Sequence, residues 1–177
     1  MARYSLTGVF CAVAAVVVSL ATVAAHADTY SDVVATLTQG DVYVAKALPA
    51  YAHMAPGDIA RLRVATNAAA NQGVTEKIAI VSSYPPHYAH ASQAAEGLRN
   101  FLDLSGVLVL VSPRGIGVAS DNLTQDQIRS IEARTRPRCL ASSYTSCAIF
   151  AGQLAVAQVK SDVASANRSA QIFWVIV

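Results

Sequence analysis

The apolar residues of this chain fall into short strand-like runs that alternate with stretches of helical periodicity. A β-rich run covers 41–45 directly after Gly40, and a second run covers 77–82. Every position from Val107 to Val111 is apolar, which is typical of a strand covered on both faces. Residues 116–120 follow a turn and predict a return strand that forms a hairpin.

Two helices are predicted between these strands. The first opens at Pro56-Gly57-Asp58 and carries apolar residues at three- and four-residue steps. The second follows Pro85-Pro86 and is expected to end at Gly106. Strands separated by helices of this length indicate parallel crossovers.

The third helix has the clearest start in the sequence. Thr124 and Gln127 stand three residues apart and predict a capping box. We expect Pro137 to end this helix, because proline lacks the amide hydrogen that a helix needs. The resulting order, β-α-β-α-β-β-α, predicts an α/β sandwich with a mostly parallel sheet plus a hairpin strand.

The first 27 residues have the pattern of a signal peptide. Arg3 supplies a positive charge, Val9–Val18 is unbroken apolar sequence, and Ala25-His26-Ala27 offers a signal-peptidase site. The apolar core is shorter than the about 20 residues that cross a bilayer. We therefore expect export with cleavage after Ala27.

The composition of the chain excludes some classes of protein. The chain is 54% apolar and 14% charged with a formal net charge of +2, which argues against disorder and against a nucleic-acid binder. Removing residues 1–27 leaves two cysteines, Cys139 and Cys147. Their spacing is not that of a zinc site, and an oxidising compartment favours a disulfide between them.

Residues 137–177 are predicted to form a helical C-terminal appendage to an α/β domain over 33–136. An alanine-rich helix is expected over 144–166, held near its start by the disulfide. The final six residues, 172–177, are strongly apolar. The pattern leaves three alternatives for them: a last strand, a docking segment, or the beginning of a membrane span.

Two histidines are candidate metal ligands. His87 and His90 form a His-x-x-His motif that we expect in the first turn of the second helix, where two imidazoles can share a face. His53 is the other histidine of the mature chain and the candidate third ligand. The simpler interpretation is a pair of exposed polar residues near a helix start.

Three carboxylates are candidate calcium ligands. Asp41, Asp103 and Asp121 all lie near ends of predicted strands or helices, and a calcium site would need them to converge at one edge of the sheet. The simpler interpretation is that each belongs to an ordinary turn.

Other polar groups have weaker functional interpretations. Ser82, Ser83 and Ser112 follow two presumed parallel strands, where ligands usually bind, but serine there is commonly a turn residue. Four arginines cluster near the end of the third helix and suggest either an anionic partner or a solvated helix end: Arg129, Arg134, Arg136 and Arg138.

Four segments follow one another in a characteristic order: Gly40–Val44, Ile59–Arg63, Lys77–Val81 and Gly106–Val111. Together they resemble the TPM-type domain, an extracytoplasmic α/β domain of bacteria and plastids, over about residues 33–135. The resemblance implies a signal peptide, a βαβ core and frequently a C-terminal membrane span. Some members are described as acid phosphatases or calcium binders.

The chain departs from the family where its chemistry is expected. Ala45 and Lys46 stand where the family commonly carries aspartate, and the glycine-rich stretch is reduced to Arg114–Gly117. No catalytic residue is therefore carried over.

The sequence favours an exported α/β module of the cell envelope that binds or assists without catalysis. Its expected partner is an envelope protein or a membrane surface. The alternative is a calcium-dependent phosphohydrolase of the TPM kind.

Overall fold

The computed structural model describes residues 30–49, 52 and 54–175, with side chains up to Asn167. The described part contains nine elements, in the order α1 (Tyr30–Gln39), β1 (Val42–Val44), α2 (Asp58–Ala70), β2 (Glu76–Ile80), α3 (Ala91–Phe101), β3 (Val107–Ser112), β4 (Gly115–Ser120), α4 (Gln125–Ala141) and α5 (Tyr144–Val175). The predicted signal peptide lies outside the described residues.

A four-stranded sheet in the order β1-β2-β3-β4 forms the centre of the fold. Strands β1, β2 and β3 are parallel, with Val42 opposite Ile78, and β4 returns antiparallel to β3 with Val118 opposite Val109. This arrangement confirms the predicted α/β class, its mostly parallel sheet and its hairpin strand.

Helices cover both faces of the sheet, so successive residues of a strand enter different cores. Ile78 and Ile80 face α2 and α5, whereas Ala79 and Val81 belong to the core shared with α1 and α3. All six residues of β3 are buried for the same reason. This explains why the strand is apolar at nearly every position.

Helix α4 passes through Pro137, so the predicted stop at that residue is wrong. Pro137 cannot donate a hydrogen bond to the carbonyl of Ala133, but both residues are on the exposed side of the helix, away from the packed core. The helix ends at Ala141, where Ser142 donates its backbone N–H and its hydroxyl to the Arg138 carbonyl. At the other end, the Thr124–Gln127 capping box is confirmed.

Helix α1 was not predicted from the sequence. Its ten residues bury only Val33 and Leu37, four positions apart, against the sheet. Two buried apolar residues are too few to reveal helical periodicity in the sequence, because the pattern has to repeat over several turns.

The predicted C-terminal helix is present as α5, and its first half packs on the sheet. Ala148, Ala151 and Ala155 are fully buried, since small side chains let the helix approach the strands closely. The helix continues to Val175, so the strand alternative for the apolar tail is wrong up to that residue. In the described part, no helix combines the length and the apolar character needed to cross a membrane.

Candidate functional site

A cavity of about 1060 Å³ opens at the carboxyl edge of the parallel strands. We call it the carboxyl-edge cavity; its walls are Ala89–Gln93, Val111–Ile116 and Cys139–Tyr144, with Tyr84, Glu132 and Arg136. Open α/β sheets commonly bind ligands outside the carboxyl ends of their strands. The volume is at the upper end of the range typical of small-molecule sites.

The turn between β3 and β4 shapes one wall. The Ser112 hydroxyl donates to the Gly115 carbonyl at 3.2 Å and accepts from the Arg114 amide at 3.2 Å. Gly115 has a φ of 135°, which side chains rarely adopt. Ser112 is therefore a turn residue, as the simpler sequence interpretation has it.

The first turn of α3 forms a second wall because it lies directly on β4. A Cβ atom at Gly117 would collide with the Ala91 carbonyl oxygen. Glycine at this position thus allows the helix start and the strand to approach, and it places Ala91 and Ser92 in the cavity.

Glu132 on α4 lies at the base of the cavity and is 8% exposed. Its Oε2 accepts from the Ser92 hydroxyl at 2.9 Å, and its Oε1 accepts from the Val118 amide at 2.9 Å. The carboxylate therefore joins three elements: α4, α3 and the edge strand β4. Sequence reasoning missed this role, although Glu132 lies on the same helical face as the buried Ile128 and Thr135.

Two cationic side chains belong to the cavity walls. Arg114 and Arg136 line the cavity and are exposed, and His90 is also an exposed wall residue. The Arg114 guanidinium carbon lies 4.4 Å from the centre of the Tyr84 ring, a cation–π contact. Within the described part of the chain, neither arginine forms an ion pair with a carboxylate.

The two candidate histidine ligands are not placed as predicted. Helix α3 begins at Ala91, so His90 is its extended N-cap residue and His87 lies in the preceding turn. The expectation that both share a face of the first helical turn is wrong. The His87 ring lies 4.1 Å from the Tyr88 ring, and His53 lies outside the described residues.

The three candidate aspartates lie at the opposite edge of the sheet from the cavity. Asp41 accepts from Lys77 Nζ at 3.0 Å, whereas Asp121 accepts from the Ser105 hydroxyl at 2.9 Å. Asp103 occupies a left-handed turn position with a φ of 48°. Asp41 directly precedes β1 and Asp121 directly follows β4. These strands are three positions apart in the sheet, so about 14 Å separates them. Among the described residues, no three histidine, cysteine, aspartate or glutamate side chains form a metal-binding group.

The four clustered arginines have separate surroundings. Arg129 pairs with Asp126 at 2.7 Å, and the Arg138 guanidinium carbon lies 4.1 Å from the centre of the Phe150 ring. Arg136 lines the cavity, whereas Arg134 is exposed and does not belong to its walls.

The predicted disulfide is present and forms part of a wall. Cys139 near the end of α4 is bonded to Cys147 in the first turn of α5, with 4.8 Å between their Cα atoms. Cys139 lines the cavity, and Cys147 is fully buried. The bond therefore holds the turn between the two helices beside the cavity.

A second buried carboxyl, Glu76, lies at the start of β2 and away from the cavity. The residue is 4% exposed, and its Oε1 has no hydrogen-bond partner in the described part of the structure. A Cβ atom at Gly152 of α5 would collide with this oxygen. Burial raises the pKa of Glu76 to about 7.

Comparison with protein-family models, curated proteins and solved structures gives no match for this chain. The resemblance to the TPM-type domain therefore stays a prediction.

Proposed function

We propose that this chain is an exported module of the cell envelope that binds a small molecule in the carboxyl-edge cavity without transforming it. The observation that carries the proposal is the cavity itself, which lies where open α/β sheets commonly hold ligands. Its walls combine apolar residues with many polar ones, and the polar groups of ligand sites generally fix the orientation of the ligand.

The polar groups at the base of the cavity support binding rather than catalysis. Ser92 donates its hydroxyl to Glu132, and the Ser112 hydroxyl is engaged in the hairpin turn. Both Glu132 oxygens accept hydrogen bonds from the protein. The Glu132 carboxylate is itself held by Ser92 and by the Val118 amide, and we therefore assign these groups to joining the walls of the cavity rather than to activating a serine.

Export is supported by the sequence pattern of residues 1–27. A mass spectrum of the protein recovered from an exporting host tests it. We expect a chain that begins at Asp28, and a mass that includes residues 1–27 would contradict export with cleavage.

The binding function can be tested with eight-carbon probes of different charge: octanoate, octanol and octylamine. We expect at least one probe to shift backbone amide resonances of the cavity walls saturably in a ¹H–¹⁵N spectrum. Ala89→Trp places a large ring in the cavity and should abolish these shifts, since Ala89 is an exposed wall residue. Ala133→Trp is the matched control, because Ala133 is exposed on α4 outside the cavity.

Two results would overturn the proposal. One is that no probe shifts a wall resonance, or that Ala89→Trp binds as the wild type does. The other concerns catalysis: calcium-dependent hydrolysis of para-nitrophenyl phosphate, lost on replacing one polar wall residue such as Ser92, would favour the phosphohydrolase alternative.

A further inference from the structure

The acidic and the basic residues of the carboxyl-edge cavity differ in whether they already have partners within the protein. Its acidic residue, Glu132, is buried and accepts two hydrogen bonds from within the protein. Its two arginines lack a carboxylate partner in the described part of the chain. The cavity therefore presents unused guanidinium donors but no equally unused carboxylate.

Each arginine keeps donors for a ligand. One Arg114 nitrogen lies 3.4 Å from the Ala89 carbonyl oxygen, a long contact, and the guanidinium carbon lies over the Tyr84 ring. A guanidinium has five N–H donors, so a single contact to a carbonyl leaves others for a ligand. Arg136 is exposed at the opening, one helical turn from the buried Glu132.

Apolar residues lie beside these cations. Val111 is 1% exposed and Ile116 is 8% exposed, and both belong to the cavity wall. Leu140 also belongs to the wall, yet 85% of it is exposed. Val111 and Ile116 are therefore already covered, and Leu140 supplies the apolar surface that a ligand with an apolar body would remove from water, which is favourable in proportion to the area.

We propose that the carboxyl-edge cavity selects small organic anions, with an oxyanion group bound by Arg114 and Arg136 and an apolar body packed on the exposed Leu140 side chain. This inference names the ligand class for the binding function proposed above and rests on it. Guanidinium groups suit oxyanions because their N–H donors match two oxygens at once.

The test compares four probes on the purified chain by titration of the wall amide resonances. Octanoate has both the charge and the apolar body, octanol has only the body, octylamine has the opposite charge, and inorganic phosphate has only negative charge. We expect octanoate to bind most tightly. Arg114→Gln and Arg136→Gln should each weaken octanoate binding about three- to tenfold and leave octanol binding unchanged.

Arg134→Gln is the matched control, because Arg134 is on the same helix as Arg136 but outside the cavity. It should bind octanoate as the wild type does. Because all three arginines are exposed, we expect native spectra from every variant.

The outcomes separate the ligand class from the binding function. If octanol binds as tightly as octanoate and both cavity variants bind octanoate normally, the anion preference is wrong and the binding function stands. If phosphate binds as tightly as octanoate at the same amides, the apolar body contributes nothing and the proposed class is wrong. If no eight-carbon probe reaches the cavity, the binding function fails and the inference falls with it.

Discussion

The Glu132 carboxylate accepts a hydrogen bond from the Val118 amide at 2.9 Å, and this contact ties α4 to the outer strand of the sheet. An edge strand otherwise presents unpaired backbone groups. The same carboxylate accepts from Ser92, so one side chain fixes two walls of the carboxyl-edge cavity.

Replacing Glu132 should therefore destabilise the fold. Glu132→Ala leaves the buried Val118 N–H without an acceptor, and we expect a loss of about 2–3 kcal/mol in the free energy of unfolding. Glu132→Gln should cost less, because its amide oxygen can still accept from Val118. Urea denaturation measures both.

Glu96→Ala is the control, because Glu96 is exposed on α3 and should change stability by less than about 0.5 kcal/mol. Equal stabilities for Glu132→Ala and Glu96→Ala would contradict the structural role of Glu132.

Gly117 should be intolerant of any side chain. Gly117→Ala forces the first turn of α3 away from β4, and we expect destabilisation of about 1–3 kcal/mol. Gly40→Ala is the matched control, since a Cβ there meets only the Thr36 carbonyl oxygen, at 3.7 Å. Thermal unfolding compares the two variants, and similar midpoints would contradict the close contact between strand and helix.

Glu76 should make stability fall as the pH rises. Its folded-state pKa of about 7 lies above the ordinary value of 4.5, because burial disfavours the charged form. Below the ordinary pKa the residue is protonated in both states and costs nothing. Between about pH 4.5 and about pH 7 the unfolded state ionises while the folded state stays protonated, so stability falls by up to about 3 kcal/mol over that range and does not fall further above it.

Glu76→Gln keeps the shape and removes the charge. We expect it to match the wild type near about pH 4 and to be more stable above about pH 7. Glu96→Gln should show no such difference. Denaturation series at several pH values measure the effect, and parallel profiles for the wild type and Glu76→Gln would contradict it.

The disulfide should stabilise the fold and also hold the cavity wall over Leu140–Ser143 in one conformation. In the chain-entropy model, a loop this short gives about 2–3 kcal/mol. We expect Cys139→Ser combined with Cys147→Ser to lower the free energy of unfolding by that amount and to broaden amide resonances over Leu140–Ser143.

A reducing agent should reproduce this loss in the wild type and leave the double variant unchanged. If reduction has no effect on the wild-type protein, the bond does not stabilise this wall.

The strands of this fold were predictable because their signals are local. Strand β3 is apolar throughout since two helical layers cover it, and the capping box at Thr124 needs only four consecutive residues. Pro137 gave the wrong helix end, because the sequence alone does not show that Ala133 and Pro137 lie on the exposed side of α4.

The candidate site was less predictable because its parts come together only in the fold. In the sequence Glu132 is an acidic residue among four arginines, and its role depends on Val118 and Ser92 in other elements. Glu76 likewise resembles an exposed residue at the start of a strand, and its burial depends on α5. The candidate aspartates do lie at one end of the parallel strands, but Asp41 and Asp121 are engaged by different residues of the protein.

An isotope-filtered nuclear Overhauser spectrum of the protein with octanoate tests the central claim most directly, because it locates the bound probe. We expect contacts between the octanoate chain and the methyl groups of Leu140 and Ile116, and their loss in Ala89→Trp. Contacts confined to exposed apolar residues elsewhere, such as Val64 and Phe101, would contradict a binding function for the carboxyl-edge cavity.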